Sequence, residues 1–161
     1  MIKHLRIDNR LIHGQVAVTW KNHIGAQAII VTNDKVAADP IQKIALPMAA
    51  RGSKVLVYAV QETIDYAKAN PNETMFVICK HPEDALALIE AGCDIEHVNV
   101  GNAAPIAGTK YVMVTKSIAA TAEDAVVYRK IAELRGGTLR SRMVPTAEEI
   151  DFLKALADAG L

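Results

Sequence analysis

Apolar positions along this chain gather in short runs rich in Val and Ile, separated by stretches in which apolar residues recur every three or four positions. Seven runs stand out: "IKHLRI", "QAIIVT", "KVLVYAV", "TMFVIC", "IEHVNV", "KYVMVT" and "GTLRSRM". Short continuous runs suit strands buried on both faces, and their alternation with helical patterns is the mark of βαβ units. The predicted fold is therefore α/β, an open, mostly parallel sheet of about seven strands flanked by helices on both faces. Helices are expected to start near Gln15, Asp39, Gln61, Pro82, Thr121 and Thr146. Caps support several of these starts: Asp39 precedes a proline, His81 precedes Pro82, and Thr146 with Glu149 three residues on has the spacing of a capping box. The stretch Gly101 to Gly108 carries no pattern and reads as a crossover loop. The last run differs, because Leu139, Ser141 and Met143 alternate with Thr138, Arg140 and Arg142, as in an edge strand with one wet face. With no internal repeat, low-complexity tract or linker, the 161 residues read as a single domain, 1–161.

A parallel sheet makes the turns that leave its strands the default place for ligand chemistry. In this chain those turns are unusually polar. After the first strand comes Asn9 to Gly14; after the second, Asn33, Asp34 and Lys35; after the fourth, Lys80 and His81; after the fifth, Gly101 and Asn102. The first turn is the most suggestive, because in "RIDNRLIHGQV" His13 lies just before the helix expected from Gln15. Leading N–H groups of that helix and the guanidinium of Arg10 together suit an anion, and Gly14 lets backbone approach it closely. Beside an anion site, His13 has the chemistry of a nucleophile that takes a phosphoryl group on a ring nitrogen. Arg10 and the N–H groups of Asn9, Leu11, Gly14 and Gln15 would then hold the phosphate, and Asp8 would orient Arg10 or the imidazole. Asn33, Asp34, His81, Gly101 and Asn102 form the expected rim.

Composition limits the rivals. Eighteen basic residues balance eighteen acidic ones, so no global field favours nucleic acid or an anionic membrane. The apolar runs fall well short of the roughly 20 residues of a membrane span, and the first residues lack a signal-peptide core, so the expectation is a cytoplasmic protein without direct membrane insertion. Cys79 and Cys93 show no zinc-type spacing and read as reduced and structural; no metal is expected. His4 and His97 fall inside strands, where a satisfied histidine is the ordinary reading, His23 comes late in the first helix where its charge suits the dipole, and Trp20 is expected to pack on the sheet.

The segment "RIDNRLIHGQVAVTW" resembles the phosphorylation-site segment of the IIB components of the bacterial phosphoenolpyruvate-dependent sugar phosphotransferase system, in the mannose/fructose/sorbose family. Nearly the whole chain shares the resemblance, through "IIVTNDKVAADPIQKIALPMAA", "VNVGNAAPIAG" and "MVPTAEEIDFLKAL" in the expected order and spacing. The family's phosphohistidine maps onto His13 and its phosphate-stabilising arginine onto Arg10. In such proteins the phosphoryl group arrives from a histidine of the IIA component, resides on the IIB histidine, at Nδ1 by family expectation, and passes to a sugar held by the membrane components IIC and IID. The resemblance therefore implies a carrier needing no metal, nucleotide or other cofactor, peripherally associated with the membrane through IIC and IID. It leaves open the sugar and whether the chain forms a homo-oligomer. Docking between two histidine sites needs a partner surface, for which Arg6, Lys21, Lys35 and Lys80 are the basic candidates. Two other classes share some of these features. One is a non-catalytic anion-binding regulatory module of the same fold; the other is a histidine phosphatase or mutase, which would carry Arg directly before the histidine where this chain has Ile12.

Overall fold

The computed structural model describes all of residues 1–161. In chain order the elements are β1 (Ile2–Asp8), α1 (Val16–Ile24), β2 (Ala28–Thr32), α2 (Asp34–Ala38), α3 (Pro40–Ala49), β3 (Lys54–Tyr58), α4 (Val60–Ala69), β4 (Met75–Cys79), α5 (Pro82–Glu90), β5 (Ile95–Asn102), β6 (Tyr111–Thr115), β7 (Ile118–Thr121), α6 (Ala122–Leu134), β8 (Arg140–Ser141), β9 (Ile150–Asp151) and α7 (Phe152–Asp158). Seven strands make one sheet in the order β3-β2-β4-β1-β5-β8-β9, parallel throughout except for the β8–β9 pair. The expected α/β architecture is the one observed. β1 sits near the middle, hydrogen-bonded to β4 on one side and β5 on the other, which places its exit between theirs.

Alternation along the strands divides the core between two faces, because successive side chains of a strand point to opposite sides. Leu5 and Ile7 of β1, Ile30 of β2 and Val77 and Cys79 of β4 enter a cluster with Ile64, Leu88, Tyr128, Phe152 and Leu156, from α4, α5, α6 and α7. Ile29 and Val31 of β2 and Phe76 and Ile78 of β4 enter the opposite cluster with Ala17 and Trp20 of α1 and Val36 of α2. On that second face β1 contributes no aliphatic side chain. It presents His4, Arg6 and Asp8, all buried, and α1 covers them through Trp20.

Several expectations change. The run Lys110–Thr115 was read as a strand of the main sheet, but its Tyr111–Thr115 pairs antiparallel with β7 in a separate two-stranded ribbon. The ribbon meets the end of β5 through an Ala103–Ile118 bridge, and Gly101 and Asn102, read as the start of a crossover loop, complete β5. The Thr146–Glu149 capping box does not form: Glu149 pairs with Arg142 at 3.6 Å, and α7 begins at Phe152, capped by Asp151, whose side chain accepts from Lys154 N at 3.1 Å. Burial of Phe152 and Leu156, one turn apart, selects that later start over the local signal. The run expected to be the edge strand is instead flanked on both sides, by β5 and by β9, which forms the edge. The stretch after β2, expected as a polar turn through Asn33, Asp34 and Lys35, instead opens the short helix α2 with Asn33 as its cap.

Trp20 packs against the sheet as expected, and its Nε1 donates to the carbonyl of Met143 at 3.1 Å. His4 is buried but not satisfied: it stacks on Trp20 at 4.4 Å between ring centroids, and its Nε2 has no hydrogen-bond partner. Burial, reinforced by the neighbouring Arg6 charge, pushes the His4 imidazole down to about 3. Below the ordinary histidine value the unfolded chain takes up a proton that the folded chain refuses, so stability conferred by neutral His4 is present above about pH 6.5 and drains away toward pH 3. Denaturant titrations of wild type and His4→Phe between pH 7 and pH 4 should therefore diverge. The wild type should lose on the order of a few kcal/mol more on acidification than the variant.

Candidate functional site

The exit of β1 is built around one carboxylate. Asp8 ends the strand and is 1% exposed. Its Oδ2 accepts from Arg6 Nε at 3.2 Å and from Arg6 Nη2 at 3.1 Å. Its Oδ1 accepts from the backbone N–H of Arg10 at 3.0 Å and faces Arg10 Nε at 3.5 Å. Arg6 and Asp8 share a face because they are two apart on a strand; Arg10 reaches the same carboxylate because the chain turns back on itself, with Leu11 N donating to Asp8 O at 3.0 Å. The hydrogen bonds of Asp8 go to Arg6 and Arg10 and none goes to the imidazole of His13.

Beyond Asp8 the loop is held at three further points. Asn9 clamps the backbone of Ala104 in both directions, Nδ2 donating to its carbonyl and Oδ1 accepting from its N–H, each at 2.9 Å. Leu11 and Ile12 bury their side chains in the cluster under α1. Leu11 does so at φ 62°, a left-handed conformation that costs roughly 1–2 kcal/mol for a residue with a Cβ. Burial of two adjacent aliphatic residues offsets that cost and leaves the next residue, His13, exposed. Gly14 follows at φ 51°; a Cβ there would touch nothing, so it is backbone conformation and not space that favours glycine. Gln15 precedes α1 without a side-chain cap and the first turn holds no acidic residue; Val16 N donates to His13 O at 3.2 Å, and the N–H groups of Ala17 and Val18 that follow lack an intrahelical acceptor, so the start of the helix is electropositive.

Arg10, three residues before His13 on the same loop, has a side chain 28% exposed. Its Nη2 has only the weak acceptor Met143 Sδ at 3.8 Å. Asn102, at the end of β5, satisfies both ends of its amide when Nδ2 donates to Ser117 O at 3.0 Å and Oδ1 accepts from Arg10 Nε at 3.0 Å. Asp8 and Asn102 thus fix the stem of Arg10 and leave the tip of the guanidinium fork open.

The remaining rim candidates have definite tasks. Asn33 caps α2, accepting from Val36 N at 3.1 Å, and donates to Asp84 at 3.0 Å. Asp34 accepts from Val60 N at 2.9 Å, tying the exit of β2 to α4. His81 precedes α5 and donates its backbone N–H to Asp84 at 3.0 Å. With Lys80, Asn9, Lys110 and Tyr111 it lines a cavity of about 410 Å³ between the exits of β1, β4 and β5 and the ribbon. Gly101 lies against the Arg6 guanidinium, where a Cβ would sit 2.0 Å from Arg6 Cζ. Arg6 itself was read as a surface cation for a partner and is not one: it is 1% exposed. Its spacing of two from both His4 and Asp8, which puts the three on one face of the strand, was the available signal. Met143 and Arg142, which approach this site from the far end of the chain, carried no signal of that kind. His13, Arg10, Asp8, Gly14, Gln15 and Asn102 all gather at the β1 exit, whereas Asn33 and Asp34 serve the neighbouring β2 exit.

If the Asn9 clamp sets the loop, Asn9→Ala should leave the sheet intact and destabilise the protein by about 1–2 kcal/mol, the scale of two partly solvated hydrogen bonds. Native-state hydrogen exchange should speed up at the Leu11 N–H more than in β1 or β4; uniform acceleration across the sheet would contradict a local role.

Residues 2–161 match the family model described as the sorbose subfamily IIB component of the PTS system. The chain is 34% identical over 153 residues to N-acetylgalactosamine-specific phosphotransferase enzyme IIB component 2 of Escherichia coli K12, covering 94% of this chain and 96% of the relative. It is 31% identical over 160 residues to the mannose-specific EIIAB component of the same organism, covering 94% of this chain but 47% of that longer protein. Among solved structures, the IIB domain of the sorbose permease from Klebsiella pneumoniae superposes with a TM-score of 0.89 at 30% identity, covering 98% of this chain and 97% of that one.

Proposed function

Because the chain belongs to the sorbose-subfamily IIB components of the sugar phosphotransferase system, phosphotransferases that act in sugar uptake, we propose that His13 is the residue on which this protein carries its phosphoryl group. The observation that carries the proposal is the loop: Leu11 and Ile12 are anchored in the core, and His13, between them and Gly14, is exposed on the same loop that carries the open fork of Arg10. A protein-to-protein phosphoryl transfer needs an accessible nucleophile on a fixed base, and this arrangement supplies both.

In the proposed reaction a ring nitrogen of His13 attacks the phosphorus of a phosphohistidine on the IIA component. The N–P bond of the donor breaks as the new N–P bond forms. In this reading Arg10 and the N–H groups of Gly14, Gln15, Ala17 and Val18 supply the donors for the three phosphate oxygens, so the loop's contribution is position and charge. In the second step the N–P bond to His13 breaks, an O–P bond forms to a sugar hydroxyl, and the hydroxyl proton ends on the imidazole that is released. The relatives are named for N-acetylgalactosamine, sorbose and mannose, which supports a sugar of that size as acceptor, presented by the membrane components IIC and IID. No helix of this chain is long and apolar enough to cross a membrane, in keeping with peripheral association through those partners. The fused relative that bears IIA and IIB on one chain supports IIA as the donor.

Intact-protein mass spectrometry tests the reading after incubation with phosphoenolpyruvate, enzyme I, the histidine phosphocarrier protein and a mannose-family IIA component. A single acid-labile phosphoryl increment is expected, dependent on IIA and absent from His13→Gln with the fold retained. An increment persisting in His13→Gln would move the site elsewhere; none in wild type would favour an anion-binding module. Arg10→Ala should be folded by circular dichroism and slow transfer by on the order of 10²-fold, the scale for losing one charged donor from a transferring group.

A further inference from the structure

We propose that Arg6 is a positioning residue for the transfer, holding Asp8 so that the fork of Arg10 stays free for phosphate, and that Gly101 is the berth that admits it. The proposal rests on the His13 carrier reading and goes beyond it to a residue that never meets the phosphate. Arg6 is 1% exposed, yet it sits at the centre of the site's wiring. Besides its two bonds to Asp8 Oδ2, its Nη1 donates to Arg142 O at 3.0 Å, and its Cζ lies 5.6 Å from the centroid of the Trp20 ring. The other side of the guanidinium rests on backbone, since a Cβ at Gly101 would stand 2.0 Å from Cζ and 2.4 Å from each Nη. No side chain larger than hydrogen fits there while Arg6 keeps this pose.

The arrangement has a consequence for charge and one for geometry. Two guanidinium groups share one carboxylate, so the cluster Arg6–Asp8–Arg10 carries one positive charge in excess. Asp8 paired with Arg10 alone would be neutral and would offer a phosphate much less. A carboxylate also accepts two parallel bonds from an arginine fork when both of its oxygens are available. Arg6 takes Oδ2, leaving Arg10 only Oδ1, which it engages through its backbone N–H and its Nε and not through the fork tip. With Arg6 removed, Oδ2 becomes open to the Arg10 fork, and the phosphate-binding group is drawn inward onto its own support. Burial lowers the Arg6 guanidinium from its usual value while Asp8 opposes that shift, so the ion pair is what keeps a cation in this dry place.

The test is the single-turnover rate of phosphoryl transfer from a phosphorylated IIA component to His13, measured by rapid quench. Variants are Arg6→Met, Arg6→Lys, Gly101→Ala, Arg10→Ala and the double variant Arg6→Met/Arg10→Ala, each checked for fold by circular dichroism and thermal melting. Arg6→Met should slow transfer about tenfold or more. Arg6→Lys should recover part of the loss, because it restores the charge but not the fork. Gly101→Ala, which keeps every charged group and displaces Arg6, should slow transfer in the same direction. Arg6→Met/Arg10→Ala should be no slower than Arg10→Ala, since a residue acting through Arg10 has nothing left to position. Multiplying losses in the double variant would overturn the proposal in favour of general structural damage. So would folded Arg6→Met or, should that variant not fold, folded Gly101→Ala transferring at the wild-type rate. Failure of the carrier reading is distinguishable, because wild type itself would then take no phosphoryl group at His13.

Discussion

The whole active edge depends on burying the Asp8 carboxylate between two arginines. An isolated carboxylate in this position would be too costly to keep charged, because burial removes its hydration. Arg6 from within the strand and Arg10 from the returning loop replace that hydration with charge-assisted hydrogen bonds on both oxygens. The interaction couples levels that are otherwise separate. It closes the end of β1, fixes the direction in which the chain leaves the sheet, and sets the conformation of Arg10, the residue proposed to meet the phosphate.

The sheet order explains why these groups meet. β1 lies between β4 and β5, so its exit is flanked by theirs, and the end of β5 supplies Gly101 for Arg6 and Asn102 for Arg10. β8 then lies next to β5, bringing the Arg142 carbonyl to Arg6 and the Met143 carbonyl to Trp20. The final strand segments are only two residues long, too short to add much to the sheet. Their position matters more than their length, since they carry acceptors to the covered polar face of β1.

Polar side chains inside a core exact a cost that this protein concentrates along one strand. On the α1 face, β1 offers His4, Arg6 and Asp8 where β4 offers Phe76 and Ile78 and β2 offers Ile29 and Val31. Trp20 makes this workable: it stacks on His4, approaches Arg6, and keeps a hydrogen bond of its own. The same helix whose first turn faces the proposed phosphate site thereby rests on the charged cluster behind it. Loop, helix and cluster form one continuous structure, and a disturbance in the cluster reaches the loop through bonded contacts.

Much of this was legible in the residues. Apolar runs and Pro or Asp helix entries located the α/β architecture and most elements, since those signals are local. The segment from Arg6 to Gln15, with Arg10, His13 and Gly14 at a strand-to-helix turn, marked the site for the same reason. What failed were signals that a distant partner overrides: the Thr146–Glu149 cap yielded to the burial of Phe152, and the Tyr111 run left the sheet for a ribbon with β7. Arg6 shows the limit most clearly. Its sequence declared a cation two residues before an aspartate, but whether that cation met solvent or a buried carboxylate depended on α1 covering it, Gly101 leaving it room and Arg142 offering a carbonyl. The sequence by itself determined the elements and the chemistry of the turn, because spacing along one strand or helix sets which side chains share a face. Only the tertiary structure decided which strands lie side by side, and with them the partners of each buried charge, because neighbours across a parallel sheet are tens of residues apart and no local pattern records them.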